Sequence, residues 1–278
     1  MRPSTYSIAA CDLRRGQWGV AVASRFLAIG ALTPYAEPGV GAVATQARIK
    51  ASWGAEGLSL LRDGASAEQA AERLVAADPW RAQRQLGIVD ADGRAHAFTG
   101  AGCLDWAGHR TGDGYAAQGN MLVSAATLDA LADTFESGHG RPLADRLLDA
   151  LDAAQAAGGD RRGQQAAALL VVEAGAGYGG ADVVVDLRAD DHPEPLVELR
   201  RLRDLHDLYF GSTPRDAWLP VDEPLAQELR GHLARRGHAT GDLLDDLDRW
   251  AGVENLEGRV DGAERVDPVV LERLRRPI

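Results

Sequence analysis

Apolar and polar positions in the first third of the chain follow a strand rhythm that gives way twice to a helical one. Residues 6–10 and 17–24 are short apolar runs flanking the turn Asp12-Leu13-Arg14-Arg15-Gly16, which predicts a hairpin. A third strand is expected over 40–46, entered through Pro38-Gly39. Trp53, Leu58 and Leu61 then recur at helical spacing over 53–62. Ser66-Ala67-Glu68-Gln69 has the form of a capping box and opens a second helix that runs to about Ala77. Strands resume over 85–89 and 95–99 across the turn Asp90-Ala91-Asp92-Gly93, with a further one over 115–121. Helices are expected over 122–137 and 142–157, the second marked by the stripe Leu143, Leu147, Leu148 and Leu151. Residues 166–172, apolar on both faces, and 182–187 close the sheet region.

The order is strands, helix pair, strands, helix pair, strands. Such segregation argues against a doubly wound parallel sheet and for an α+β fold in which helical layers cover sheets. A Leu- and Arg-rich helix over 194–209 leads to Gly211-Ser212-Thr213-Pro214, a linker by composition. Short helices over 223–236, 240–250 and 268–275 follow. The expected division is a sandwich domain over 1–211 and a small all-helical module over 212–278.

Composition narrows the function classes. A net charge of −11 over 278 residues opposes sequence-independent binding of nucleic acid and attraction to anionic membrane surfaces. Lys50 is the one lysine, so a Schiff-base mechanism has a single candidate. Cys11 and Cys103 form neither a disulfide framework nor a metal cluster pattern. No run of signal-peptide length follows Met1-Arg2-Pro3, and none is long enough to cross a bilayer. A cytoplasmic homo-oligomer without cofactor or metal is expected.

Candidate chemistry gathers at strand ends. Thr5 begins the first strand, and a threonine hydroxyl needs an assisting base to act as nucleophile. Its own α-amine would serve, but four residues precede it, so exposure requires cleavage of the Ser4–Thr5 bond or a different true start. Ser24-Arg25 and Thr45-Gln46 close the second and third strands, and a shared pocket at that rim is one reading of them; solvated strand ends are the other. Asn120, beside Gly119, suits an oxyanion donor or an Asx-turn. In Gly158-Gly159-Asp160-Arg161-Arg162-Gly163-Gln164, Asp160 could hold an amine, or cap local amides. Arg161 and Arg162 could bind a carboxylate bidentately. A strand follows this turn where phosphate binding would need a helix. Cys103 with His109 is a competing nucleophile pair, or else a small buried cysteine and a loop histidine.

Several strings carry a family resemblance: Thr5-Tyr6-Ser7-Ile8, Gly19 through Leu27, Gly41 through Ala47, Gln85-Leu86-Gly87, Trp106-Ala107-Gly108-His109, Gln118-Gly119-Asn120 and Gly158 through Gln164. Through them residues 5 to about 209 resemble the bacterial domain of unknown function 1028, grouped with the N-terminal-nucleophile (Ntn) hydrolases. Residues from about 214 on, especially 250–256 and Asp267-Pro268, resemble a module described as peptidoglycan-binding. The resemblance implies a four-layer α-β-β-α sandwich, Ntn-hydrolase-like, with a small all-helical C-terminal module. It implies Thr5 as nucleophile and Ser24 orienting its amine. Oxyanion donors would come from the Thr45–Gln46 turn and Asn120, with Asp160 and Gln164 supporting the amine. The expected substrate contacts are Arg25, Thr45, Arg161, Arg162 and Gln164. The activity expected is hydrolysis of a small amide or peptide bond; the alternative is a non-catalytic protein on the same scaffold, binding cell-wall fragments.

Overall fold

The computed structural model describes residues 5–262 and 264–276. In chain order the first unit runs β1 (Thr5–Asp12), β2 (Gln17–Ser24), β3 (Pro34–Glu37), β4 (Gly41–Ala47), α1 (Ser52–Arg62) and α2 (Ala67–Ala76). It continues through β5 (Arg84–Asp90), β6 (Ala95–Thr99), β7 (Gly108–Gly112) and β8 (Tyr115–Asn120). Helices α3 (Ala125–Ser137) and α4 (Leu143–Ala156) follow, then β9 (Ala166–Glu173), β10 (Val183–Ala189) and α5 (Pro195–Phe210). Two antiparallel sheets result, one ordered β10-β9-β2-β1-β8-β7 and the other β3-β4-β5-β6.

Strand alternation sorts the side chains into layers. On β1, Tyr6, Ile8 and Ala10 pack with Leu128, Leu131, Phe135, Leu147 and Leu151 of α3 and α4. Across the other sheet, Val43, Leu86 and Ile88 pack with Trp53, Leu58, Leu61 and Leu74 of α1 and α2. Between the sheets lie Ala9, Cys11, Trp18, Val20, Ala42, Ala44, Val89 and Ala116, mostly small residues. The unit is therefore an α+β sandwich of four layers, α-β-β-α.

The capping box at Ser66 is present in both its hydrogen bonds. Asp90 ties the β5–β6 turn to α2: one carboxylate oxygen accepts from the Asp92 and Arg94 amides, the other from the Ala67 amide and the Arg94 side chain. Two strands of this unit were not expected. β3 is a four-residue edge strand opened by Pro34, and β7 has no apolar side chain to betray it. Helix α3 starts at Ala125, with Ser124 in extended conformation before it, rather than at 122.

The second compact unit begins at Arg203, inside α5, whereas composition placed the boundary at the 211–214 linker. It holds α6 (Glu223–Arg235), α7 (Leu243–Glu254) and α8 (Pro268–Arg275), with a two-residue pairing of β11 (Leu219–Pro220) and β12 (Arg265–Val266). Leu229, Leu233, Leu247, Trp250, Val270, Leu271 and Leu274 form its core. Asp222, Asp242 and Asp267 each cap a helix N-terminus by accepting a backbone N–H. Helix α7 ends at Glu254, four residues beyond the expected end, with Asn255 after it in the left-handed conformation.

The space between the sheets is tight enough to make Gly87 obligatory. A Cβ there would lie 1.9 Å from Gln118 Oε1. Gly87→Ala is expected to lower unfolding free energy by about 1–3 kcal/mol in urea titration, as overpacking does. A Gly87→Ala, Gln118→Ala pair should recover part of that loss.

Candidate functional site

The layer between the sheets changes character along its length. On β1 the inward positions run Thr5, Ser7, Ala9, Cys11; on β8 they run Asn120, Gln118, Ala116. Register pairs these rung by rung: Thr5 opposite Asn120, Ser7 opposite Gln118, Ala9 opposite Ala116. The facing sheet repeats the gradient, Gln46 opposite Gln85, Ala44 opposite Gly87, Ala42 opposite Val89. One end of the sandwich interior is thus polar and the other apolar.

All of these polar residues are buried, so each needs partners within the protein. The Gln46 amide donates to Gln85 Oε1 at 2.7 Å, to the Thr5 carbonyl at 3.2 Å and to the Gln118 carbonyl at 3.4 Å. Ser7 Oγ donates to Gln46 Oε1 at 2.6 Å and accepts from the Gln118 amide at 2.6 Å. Gln85 is the hub. Its Oε1 accepts from Gln46 and, at 3.0 Å, from Asn120 Nδ2. Its Nε2 donates to Thr99 Oγ1 and to the carbonyls of Gly108 and Gly119. Thr99 Oγ1 continues the chain to His109 Nδ1 at 2.9 Å.

Thr5 heads β1, fully buried, with its hydroxyl donating to Ser24 Oγ at 3.2 Å. Ser24 and Asn120 are its cross-strand neighbours on either side. The Ser4–Thr5 bond, on which the expected amine depends, lies outside the described residues. Beside Asn120 is a cavity of about 10 Å³, bounded also by Ala47, Arg48, Gln83, Gly102, Cys103 and Leu104; that is room for one water. Ala47 (φ 66°) and Met121 (φ 52°) directly follow Gln46 and Asn120, both left-handed without being glycine. Such backbone strain concentrates at functional sites.

Asp160 is brought to the same end of the sheet. Its carboxylate accepts the Arg25 amide at 2.8 Å, the Arg162 amide at 2.9 Å and the Arg162 guanidinium. These bonds go to Arg25 and Arg162, whereas the expectation had Asp160 support the Thr5 amine. Backbone bonds from Arg161 N to Met121 O and from Val123 N to Gly159 O lace its turn to the end of β8. Arg25 donates from its guanidinium to the Arg162 carbonyl. Arg161 is exposed and Gln164 half-buried near the same turn.

Thr45 is not brought into this layer. It shares a face with Val43, toward α1, and its hydroxyl donates to the Lys50 carbonyl. Lys50 sits 3.9 Å from Asp78, itself paired with Arg84. Sequence reasoning also left out Ser7, Gln85 and Gln118 as site residues. Their signal was available: each lies an even number of positions from Thr5, Gln46 or Asn120 along its strand or across a register pair.

Cys103 and His109 are engaged separately. The thiol donates to the Arg84 carbonyl, and His109 bonds Thr99. Burial pushes the Cys103 thiol up to about 11 and lowers His109, with His96 adding to the latter. Among the described residues no group of three or more His, Cys, Asp or Glu could hold a metal ion, and no helix is long and apolar enough to cross a membrane.

Two outcomes follow from this geometry. A raised thiol pKa depletes thiolate at neutral pH, so iodoacetamide should modify native Cys103 more slowly than free cysteine, accelerating as pH approaches 11. Rapid alkylation at neutral pH, read by peptide mass, would restore Cys103 as a nucleophile. Gln85→Met should remove the common acceptor of Gln46 and Asn120. Losing the bonds that Gln85 makes within the buried layer is expected to cost about 2–4 kcal/mol in denaturant unfolding.

Comparison with known proteins carries the description further. Residues 5–199 match the family model described as "Family of unknown function (DUF1028)". Residues 214–274 match one described as "Putative peptidoglycan binding domain". The crystal structure of protein SPO2555 from Silicibacter pomeroyi, which carries the DUF1028 label, is similar at 33% identity and a TM-score of 0.67. That similarity covers 78% of this chain and 95% of the other. No curated protein matches. With more than half of its length matched by the family model, and a solved relative of the same label sharing a third of its residues, the chain belongs to the DUF1028 family of unknown function.

Proposed function

We propose that this protein hydrolyses a small amide or peptide bond, with Thr5 as an N-terminal nucleophile once the Ser4–Thr5 peptide bond is cut. The observation that carries the reading is the placement of the Thr5 hydroxyl at the head of a central strand. It lies between Ser24 and Asn120 in register, at the polar end of the inter-sheet layer. Strained Ala47 and Met121 flank it in a fold that elsewhere keeps non-glycine residues at negative φ apart from Ala28 and Asn255 among the described residues.

In the proposed reaction Thr5 Oγ forms a bond to the substrate carbonyl carbon while its proton passes to the freed α-amine. The C–N bond then breaks, and the leaving amine takes that proton. Water attacks the resulting ester, releasing a carboxylic acid and returning the proton to Thr5 Oγ. Asn120 Nδ2 supplies an oxyanion donor, held at its angle by Gln85 Oε1. Ser24 orients the nucleophile through its contact with Thr5 Oγ. The Gln46 amide already donates to three acceptors, so its part is to fix the Thr5 carbonyl. Asp160 acts through Arg25, the residue after Ser24. Arg161, exposed beside the Asp160 turn, is the remaining cation for an acidic substrate group, because the Arg162 guanidinium is paired with Asp160.

A second reading, a ligand-binding protein on a non-catalytic scaffold, is favoured by the complete burial of Thr5 and the single-water cavity beside Asn120. The two readings separate on the native N-terminus. The hydrolase reading expects intact mass and N-terminal sequencing to give a chain starting at Thr5. It also expects Thr5→Ala to lose at least about 100-fold of the activity found in a broad amide-hydrolysis screen. A native protein still carrying the Ser4–Thr5 bond, or a Thr5→Ala variant as active as wild type, leaves the scaffold reading in its place.

A further inference from the structure

A cavity of about 590 Å³ opens at the apolar end of the sandwich, where Cys11 ends the inward row of β1. Cys11 lies six positions from Thr5 on that strand, roughly 20 Å along it, so this space is separate from the candidate site. Its volume is in the range of small-ligand sites. The β1–β2, β5–β6 and β7–β8 turns and the α3–α4 connection all border it, so both sheets and one helical layer contribute. Backbone bonds from Cys11 N to Gly114 O at 2.9 Å and from Gly114 N to Gly93 O at 3.2 Å tie β1 to two of those turns.

Arg146 gives the cavity a buried cation. It is 5% exposed and sits on the inward face of α4 with Leu143 and Leu147. One edge of its guanidinium, Nε and Nη2, donates to the Phe135 carbonyl at 3.4 and 3.1 Å, and its face lies over the Phe135 ring at 3.9 Å. The opposite edge, Nη1 with the second N–H of Nη2, makes no bond, and Nη1 is not sealed from solvent. With one edge on α3 and one face on a ring, this free edge is the part that Arg146 turns to the cavity. Among the described residues Arg146 has no carboxylate partner, and burial holds its pKa below the ordinary arginine value.

The neighbouring charges are unequally answered. Asp12 accepts from the Arg14 and Arg15 amides and pairs with the Arg15 guanidinium at 3.1 Å. Asp113, exposed on the β7–β8 turn, has no ion pair or side-chain hydrogen bond among the described residues. Burial, then Asp113, pushes the Cys11 thiol up to about 12 while Arg146 draws it down, so two unanswered opposite charges lie within reach of one atom. Leu13, 52% exposed, adds an apolar surface to the same cavity.

We infer that this cavity binds a small apolar α-amino acid. Its carboxylate takes two parallel N–H···O bonds from the free edge of Arg146, its ammonium faces Asp113, and its side chain covers Leu13. A planar monoanion suits the place better than a phosphate dianion, because the Asp12 and Asp113 carboxylates border the same space. The inference does not rest on the hydrolase reading, since it concerns the other end of the sandwich.

Calorimetric titration of the full chain with L-leucine tests it. Two analogues each lack one charge: 4-methylpentanoate has no ammonium and 3-methylbutylamine has no carboxylate. L-leucine should bind, the amine should bind at least about tenfold more weakly, and 4-methylpentanoate should fall between them. Asp113→Asn, an exposed change, should weaken L-leucine about fivefold and leave 4-methylpentanoate unaffected, a contrast that a loss of structure would not produce. Arg146→Lys keeps the charge, removes the two-pronged edge, and should weaken both carboxylates roughly tenfold. Because Arg146 also answers the Phe135 carbonyl, its variant is read only where thermal unfolding shows folded protein; Asp113→Asn decides otherwise. No L-leucine binding at millimolar concentration, equal binding of the amine, inorganic phosphate binding as tightly as L-leucine, or unchanged L-leucine affinity in Asp113→Asn would overturn the assignment.

Discussion

The constraint on which the sandwich depends is that three glutamines and a serine are buried together between the two sheets. Buried amides must find partners or cost several times the net worth of one hydrogen bond. Here Ser7, Gln46, Gln85 and Gln118 answer one another across the two sheets. The network therefore specifies how the sheets meet. A one-residue slip of β4 or β5 would turn Gln46 or Gln85 toward the helices, among Trp53, Leu61 and Leu74, where no amide partner waits. At the other end of the same layer the residues are alanine, valine, cysteine and Trp18. Apolar packing holds the sheets there at close range, and the amides set their register here.

From this constraint the candidate site inherits its rigidity. Asn120 and Gln46 are not independent polar groups at a rim; both donate to one oxygen of Gln85, itself fixed by three acceptors. The hydroxyl of Thr5 is placed by Ser24, and its carbonyl by Gln46. A site assembled this way needs little reorganisation to hold a developing charge, which is the usual source of electrostatic catalysis. The strained backbone at Ala47 and Met121 lies immediately beyond these anchors. The network over-determines that end of the sheets and can hold it in sparsely populated conformations.

Much of this was legible from the residues. The β1–β2 hairpin, the capping box at Ser66, the β5–β6 turn and the leucine stripe of α4 all stand on local patterns that tertiary packing preserves. Thr5, Ser24, Gln46 and Asn120, four of the polar strand ends singled out in the sequence, lie beside one another in the structure. Taking Thr45 together with Gln46 overlooked the period of two, which sends adjacent strand residues to opposite faces. Ser7, Gln85 and Gln118 escaped because each looks like an ordinary polar interruption of an apolar strand. Only the pairing of four strands reveals that these interruptions align. β7 escaped for the converse reason: Gly-His-Arg-Thr-Gly offers no apolar face, and its strand state is imposed by its pairing with β8.

Asp160 shows how such a site can be governed by a group that does not touch the Thr5 hydroxyl. The carboxylate accepts the amide of Arg25, next in chain to Ser24, and the turn around it is bonded to Met121 and Val123, just beyond Asn120. Two strands that flank Thr5 are thus joined at their ends by one buried anion, balanced by the Arg162 guanidinium. Its charge also adds to the burial that holds the Tyr6 phenol far above its ordinary pKa. Removing the carboxylate would leave the Arg25 amide and the Arg162 cation to find new partners, and Ser24 would move with them. Since a displacement of about 1 Å can cost two orders of magnitude in a positioned reaction, a turn aspartate can control the geometry of Thr5, the proposed nucleophile, through Arg25 and Ser24.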